Sequence, residues 1–139
     1  MTVDEALTFS RNELGGEQAF VDSTYLLSYV LKKNFTWLKT WGDFSLSFEQ
    51  ETTFRHLVER RVKGEPVAYI CGEKDFWTLT LKTNPSTLIP RPETELLVEK
   101  ALEYLSEKPK ANVLDLGTGT GAIALAIASE RKQDQIIAS

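Results

Sequence analysis

The sequence holds a single cysteine, Cys71, and a single histidine, His56. One cysteine cannot form an internal disulfide, and with one histidine it cannot close a four-ligand zinc site, so a reducing, cytoplasmic setting is the expectation. No stretch approaches the ~20 consecutive apolar residues that a membrane span requires. The opening MTVDEALTFSRNEL places acids where a signal peptide needs bases and has no continuous apolar core. Excess positive charge is also missing. A net charge of −4 argues against binding nucleic acid through bulk electrostatics and leaves only a local basic patch as a route to it. There is no internal repeat and no low-complexity tract.

What remains is a globular composition, 42% hydrophobic and 26% charged over 139 residues, enough for one domain or for a small domain and part of another. Residues 1–65 read as a helical domain. Thr2 with Glu5, and Ser47 with Gln50, have the spacing of capping boxes. Val3, Ala6 and Leu7 then recur at helical spacing, and Ala19–Lys33 carries Phe20, Leu26, Leu27, Val30 and Leu31 toward the centre of a small bundle. A short element covers Thr36–Thr40. Phe54, Leu57, Val58 and Val62 share one face of a helix that ends at Lys63-Gly64 before Pro66.

From Val67 the period changes to about two. Val67–Cys71 and Phe76–Lys82, with Gly72-Glu73-Lys74-Asp75 between them, predict a β-hairpin inside a connector over residues 66–87. The third segment, residues 88–139, opens with Leu88–Pro92, which the two prolines keep extended. Pro92 suits the first turn of a helix, with Glu93 and Glu95 favoured by the dipole. Leu96, Leu97, Ala101, Leu102 and Leu105 are expected to form its buried stripe.

The stretch VLDLGTGTGAIALAIA at 113–128 carries the chemistry. An apolar strand containing Asp115 breaks into Gly117, Gly119 and Gly121 and resumes as a small-residue helix, the pattern of a βα unit that binds a nucleotide or cofactor. Gly117, Gly119 and Ala122 satisfy the dinucleotide spacing, a weak signal alone. Asp115 tips the balance. A carboxylate beside a pyrophosphate repels it, whereas S-adenosylmethionine carries no phosphate and offers a sulfonium and an ammonium. Asp115, Gly117, Thr118, Gly119, Thr120 and Gly121 are therefore the expected binding residues for S-adenosylmethionine, with a purely structural strand–turn–helix as the alternative. An acid for the ribose hydroxyls is expected ~20 residues after the loop, at or just past Ser139.

Three segments, GEPVAYICGEKDFW (64–77), LIPRPETELLVE (88–99) and VLDLGTGTGAIALA (113–126), resemble in order and spacing the protein-(glutamine-N5) methyltransferases that modify peptide chain release factors. The resemblance runs from about Asp22 to the last residue. It implies an N-terminal helical bundle for substrate recognition and a hairpin connector. After these comes the start of a Rossmann-like class I methyltransferase domain, an α plus α/β architecture. It further implies methyl transfer from S-adenosylmethionine to the side-chain nitrogen of the glutamine in a Gly-Gly-Gln motif of release factors. Arg91 and Glu93 match the segment beside the cofactor pocket and become candidate substrate contacts. The family's Asn-Pro-Pro-Tyr motif, which holds the substrate glutamine, does not occur here, and Asn84-Pro85-Ser86-Thr87 is no substitute for it. No catalytic residue is therefore assigned, and the chain is not expected to methylate unaided. The expected partner is a release factor, with no membrane and no direct nucleic-acid contact, and the expected state is a monomer.

Other candidates are weaker. His56 and Cys71 could be imagined as a nucleophilic pair, but His56 falls beside Arg55 on a solvated face and Cys71 is expected to end a strand as a small apolar filler. Arg55, Arg60, Arg61 and Lys63 read as a solvated helix face rather than a partner surface. Trp37, Trp41 and Trp77 are expected to anchor small cores. Two other functions stay open: a non-catalytic release-factor-binding module, and a class I methyltransferase acting on a nucleic-acid amine.

Overall fold

Both predicted capping boxes form. The Thr2 hydroxyl accepts from the Glu5 N–H and the Glu5 carboxylate from the Thr2 N–H, starting α1 (Val3–Leu14); Ser47 and Gln50 do the same for α4 (Phe48–Val62). Between them lie α2 (Ala19–Leu31) and α3 (Phe35–Thr40), the latter capped by the Asn34 side chain, which accepts from the Trp37 N–H. The computed structural model describes residues 1–139, which divide into two units, Met1–Cys71 and Gly72–Ser139.

In the first unit α2 packs against α1, α3 and α4. Leu26, Leu27 and Phe54 are wholly buried at the centre, with Val3, Ala6, Leu38, Leu57 and Val58 around them. Full burial of such side chains is worth about 1.5–3 kcal/mol each relative to exposure. Asp22 and Arg61 join α2 to α4 through a 2.9 Å ion pair. A single antiparallel bridge, Thr2 to Ser45, ties the start of the chain to the loop before α4, flanked by bonds from the Val3 N–H to the Phe44 carbonyl and the Leu46 N–H to the Met1 carbonyl.

Three expectations fail within this unit. Val62 lies 52% exposed and Phe20 47% exposed, because the apolar arc of each helix is wider than the face its neighbours cover. The second failure concerns 67–71, which forms a short helix, α5 (Val67–Cys71), and not the first strand of a hairpin. The Pro66 carbonyl accepts from the N–H groups of both Tyr69 and Ile70, so the proline starts a helical turn. Ala68, Ile70 and Cys71 are buried, and Ile70 and Cys71 join the core of the first unit. Cys71 thus ends a helix, not a strand. Trp41 is 51% exposed and anchors no core, although it stacks on half-buried Trp37, with ring centroids 6.4 Å apart.

The hairpin sits further along, as β1 (Glu73–Phe76) paired antiparallel with β2 (Leu79–Lys82), from Glu73 opposite Lys82 to Phe76 opposite Leu79. Its two-residue turn is Trp77-Thr78, and Trp77 adopts φ +57°, a region ordinarily left to glycine or asparagine. After it come α6 (Thr94–Leu105), β3 (Asn112–Asp115), α7 (Ala122–Glu130) and β4 (Gln135–Ala138). β3 and β4 pair in parallel, Asn112 opposite Gln135 and Asp115 opposite Ala138, with α7 as the crossover. Phe76, Leu81, Val98, Leu105, Ala122, Ala126 and Ile127 form this unit's core. Leu96 and Leu97 are 57% and 55% exposed, so the expected stripe of α6 is corrected to Val98 and Leu105, with Ala101 and Leu102 half-buried beside them.

Candidate functional site

β3 alternates. Val113, with Ile136 of β4, packs on the core, while Leu114 and Ile137 point to the other face and stay 58% and 53% exposed. The same alternation leaves Asp115 half-buried at the strand's end, where the chain turns into the glycine loop. Three glycines make that turn, with φ of +68° at Gly117, +58° at Gly119 and +82° at Gly121. A Cβ at Gly117 or Gly119 would meet no atom within 4 Å, so the loop presents bare main chain to open space. Gly121 differs. There a Cβ would come within 3.3 Å of Leu125 Cδ1, so its role is to let α7 pack at its own start.

Hydrogen bonds hold the loop to both strand tips. The Thr118 hydroxyl donates to Asp115 Oδ2 at 2.8 Å, the Thr118 N–H to the Ser139 carbonyl at 2.9 Å, and the Ser139 N–H to the Asp115 carbonyl at 2.9 Å. Gly121 caps α7 in the left-handed conformation with no side-chain cap, so no side chain competes for the first-turn N–H groups. Asp115 is the one charged side chain between residues 111 and 129. A ligand group lying on this main chain would therefore meet a carboxylate beside it, together with N–H donors from a helix start.

The base of β4 is fixed by a second carboxylate. Asp134, fully buried at its side chain, accepts from Arg131 Nε at 2.7 Å and from the Ala111 N–H at 2.9 Å. The Arg131 guanidinium, and after it the Ala111 N–H, hold the Asp134 carboxyl below the usual range. The Gln135 N–H then donates to the Ala111 carbonyl, setting the register that brings Ser139 opposite the loop.

Arg91 and Glu93 are placed differently. Both are exposed, Glu93 caps α6 in a helical conformation without a side-chain bond, and neither side chain makes a hydrogen bond or ion pair with the loop or with anything else. Glu95, read from sequence as a helix-start charge, has a structural partner that spacing alone does not reveal. Its Oε1 accepts the Trp77 N–H at 2.8 Å, and Trp77 Nε1 donates to Glu130 at 3.0 Å. The strained turn residue is thus held from α6 on one side and α7 on the other. His56 is exposed and Cys71 buried, and no group of three His, Cys, Asp or Glu side chains is gathered for a metal ion. No helix is long and apolar enough to cross a membrane.

Comparison with known proteins sharpens this picture. The family described as PrmC N-terminal domain matches residues 5–72. The release factor glutamine methyltransferase of Shewanella oneidensis is 51% identical over 138 residues, covering 98% of this chain and 48% of that protein. Those of Aliivibrio fischeri and Coxiella burnetii are 53% and 51% identical over 84% and 80% of this chain, and in each case over 40% of the relative. These relatives are methyltransferases by name: over nearly its whole length the chain is similar to release factor glutamine methyltransferases, and it spans about half the length of the relatives it matches.

Proposed function

We propose that this chain provides the cofactor loop and the release-factor-recognising helical unit of an S-adenosylmethionine-dependent enzyme. That enzyme methylates the N5 nitrogen of the glutamine in the Gly-Gly-Gln motif of release factors. The observation that carries the cofactor reading is the glycine loop: bare main chain at Gly117 and Gly119, with Asp115 the one charged side chain in the sequence from 111 to 129. A dinucleotide would bring a pyrophosphate to that carboxylate; S-adenosylmethionine brings a cation. The strand–loop–helix–strand order from β3 to β4 supports a Rossmann-like beginning for this unit.

When bound, S-adenosylmethionine supplies an electrophilic methyl group on a sulfonium. Asp115 would accept from the cofactor's ammonium, and the uncapped first turn of α7 suits its carboxylate. Gly117 and Gly119 would let the cofactor lie against the backbone without a side chain intervening. Arg91 and Glu93, exposed and unpaired, are proposed contacts for the protein substrate. A glutamine amide nitrogen is a poor nucleophile because its lone pair is delocalised, so transfer to it depends on positioning and electrostatics more than on a side-chain base. The groups that hold that amide, an Asn-Pro-Pro-Tyr motif by family resemblance, are not among these 139 residues.

The test is equilibrium dialysis of the chain against methyl-labelled S-adenosylmethionine, followed by sedimentation with a purified release factor. Saturable retention of the label and co-sedimentation are expected. Absence of retention contradicts the cofactor reading, and absence of co-sedimentation contradicts the assignment of the helical unit. A second reading, a release-factor-binding module without chemistry of its own, is favoured by one feature: residues 1–71 close a complete core within themselves. Co-sedimentation without retention is its signature.

A further inference from the structure

The loop holds two threonines, Thr118 and Thr120, of similar exposure, and the structure separates them. Thr120 makes no hydrogen bond, whereas Thr118 spends its hydroxyl proton on Asp115 Oδ2 at 2.8 Å and its N–H on Ser139. The terminal torsion of an aspartate is broad, so an unrestrained carboxylate samples many orientations. A bond to one oxygen selects one of them. It leaves Oδ1 as the acceptor without a partner, at the strand end where the bare main chain of Gly117 and Gly119 begins. An ionised carboxylate is acceptor-only, so Oδ1 is left for a donor or cation from a ligand or from water.

We propose that Thr118 is a positioning residue. It acts through Asp115, presenting one carboxylate oxygen to the amino group of the cofactor's amino-acid portion, and makes no contribution to the adenosine portion through its side chain. This rests on the S-adenosylmethionine reading above and goes further by dividing the loop's work. Backbone geometry at the glycines receives the ligand as a whole, and the Thr118–Asp115 pair selects for its amine. Thr118→Val removes the hydroxyl at nearly constant shape, Thr118→Ser keeps it, and both retain the N–H that binds Ser139.

The test compares two probes by calorimetry or NMR titration of the chain. S-adenosylhomocysteine carries the amine; 5′-methylthioadenosine lacks the whole amino-acid portion. Thr118→Val is expected to weaken S-adenosylhomocysteine about tenfold, the scale of one lost hydrogen bond at a charged group. It should leave 5′-methylthioadenosine within about twofold, and Thr118→Ser should restore both. Asp115→Asn should show the same selective loss, and adding Thr118→Val to it should cost nothing further. Equal loss of both probes, or additive losses in the double variant, would overturn the proposal by making Thr118 a merely structural residue. So would an unchanged affinity for S-adenosylhomocysteine. If the unaltered chain binds neither probe, the cofactor reading itself falls and takes this one with it, a result distinct from all the others.

Discussion

Phe54 and Leu114 are both large apolar residues set in the middle of a regular element, yet Phe54 is sealed from solvent and Leu114 is 58% exposed. The contrast runs through the two units. Residues 1–71 bury most of their apolar side chains against one another, and the exceptions lie near helix ends or, like Phe44, in the loop before α4. In residues 72–139 the β3–β4 pair is covered on one face, leaving Leu114 and Ile137 on the other open, with Leu116 exposed just past β3. Parallel strands are ordinarily covered on both faces. The first unit therefore owes its character to side-chain packing, whereas the proposed ligand loop of the second depends on backbone conformation at Gly117, Gly119 and Gly121.

That difference can be broken from either side. Phe54→Ala should have the largest effect, costing about 3–5 kcal/mol through lost burial and the cavity left behind. It should appear as a fall in the urea midpoint followed by far-ultraviolet circular dichroism. Gly119→Val should cost about 1–3 kcal/mol locally, since a β-branched residue must take φ near +58°. It should abolish retention of S-adenosylmethionine in dialysis while the circular dichroism of the helical unit persists. Packing dominates the first result and backbone conformation the second.

Acid gives a third handle, on the second unit's own carboxylate. The Arg131 guanidinium and the Ala111 N–H hold Asp134 below the ordinary aspartate range, so the folded form takes up its proton only at lower pH than the unfolded chain. Its contribution is complete above pH of about 4 and is lost as pH falls through the lowered value. Asp134→Asn should therefore flatten the acid limb of the β3–β4 signals in pH-dependent hydrogen exchange, leaving the α1–α2 signals unaltered. The smallest expected effect is at a helix start. Ser47→Ala removes the α4 cap and should cost about 1 kcal/mol, read as a lowered melting temperature of the helical unit.

Local signals were legible in the sequence, and long-range ones were not. Thr2 with Glu5 and Ser47 with Gln50 are caps because their chemistry acts over three residues. The glycine spacing after β3 likewise specifies a loop whose φ values few other residues accept. Val67–Cys71 misleads because its β-branched and aromatic residues fit a strand, while Pro66 and burial against the bundle favour a helical turn. The hairpin turn was hidden for a different reason. Trp77 at positive φ is tolerated where Glu95 and Glu130 bind it from 18 and 53 residues away. Leu96 and Leu97 are apolar but exposed, because apolarity alone does not specify which face of α6 meets a neighbour. At the site, Asp115 and the glycines were recognisable as a group, but the division between Thr118 and Thr120 depends on a hydrogen bond that spacing alone leaves open.

The most direct measurement is a residue-resolved NMR titration of the chain with S-adenosylmethionine and, separately, with NAD. The account predicts saturable shifts at Asp115 and Gly117–Gly121 with S-adenosylmethionine and none with NAD. Shifts at those residues with NAD in place of S-adenosylmethionine, or with neither, would contradict it.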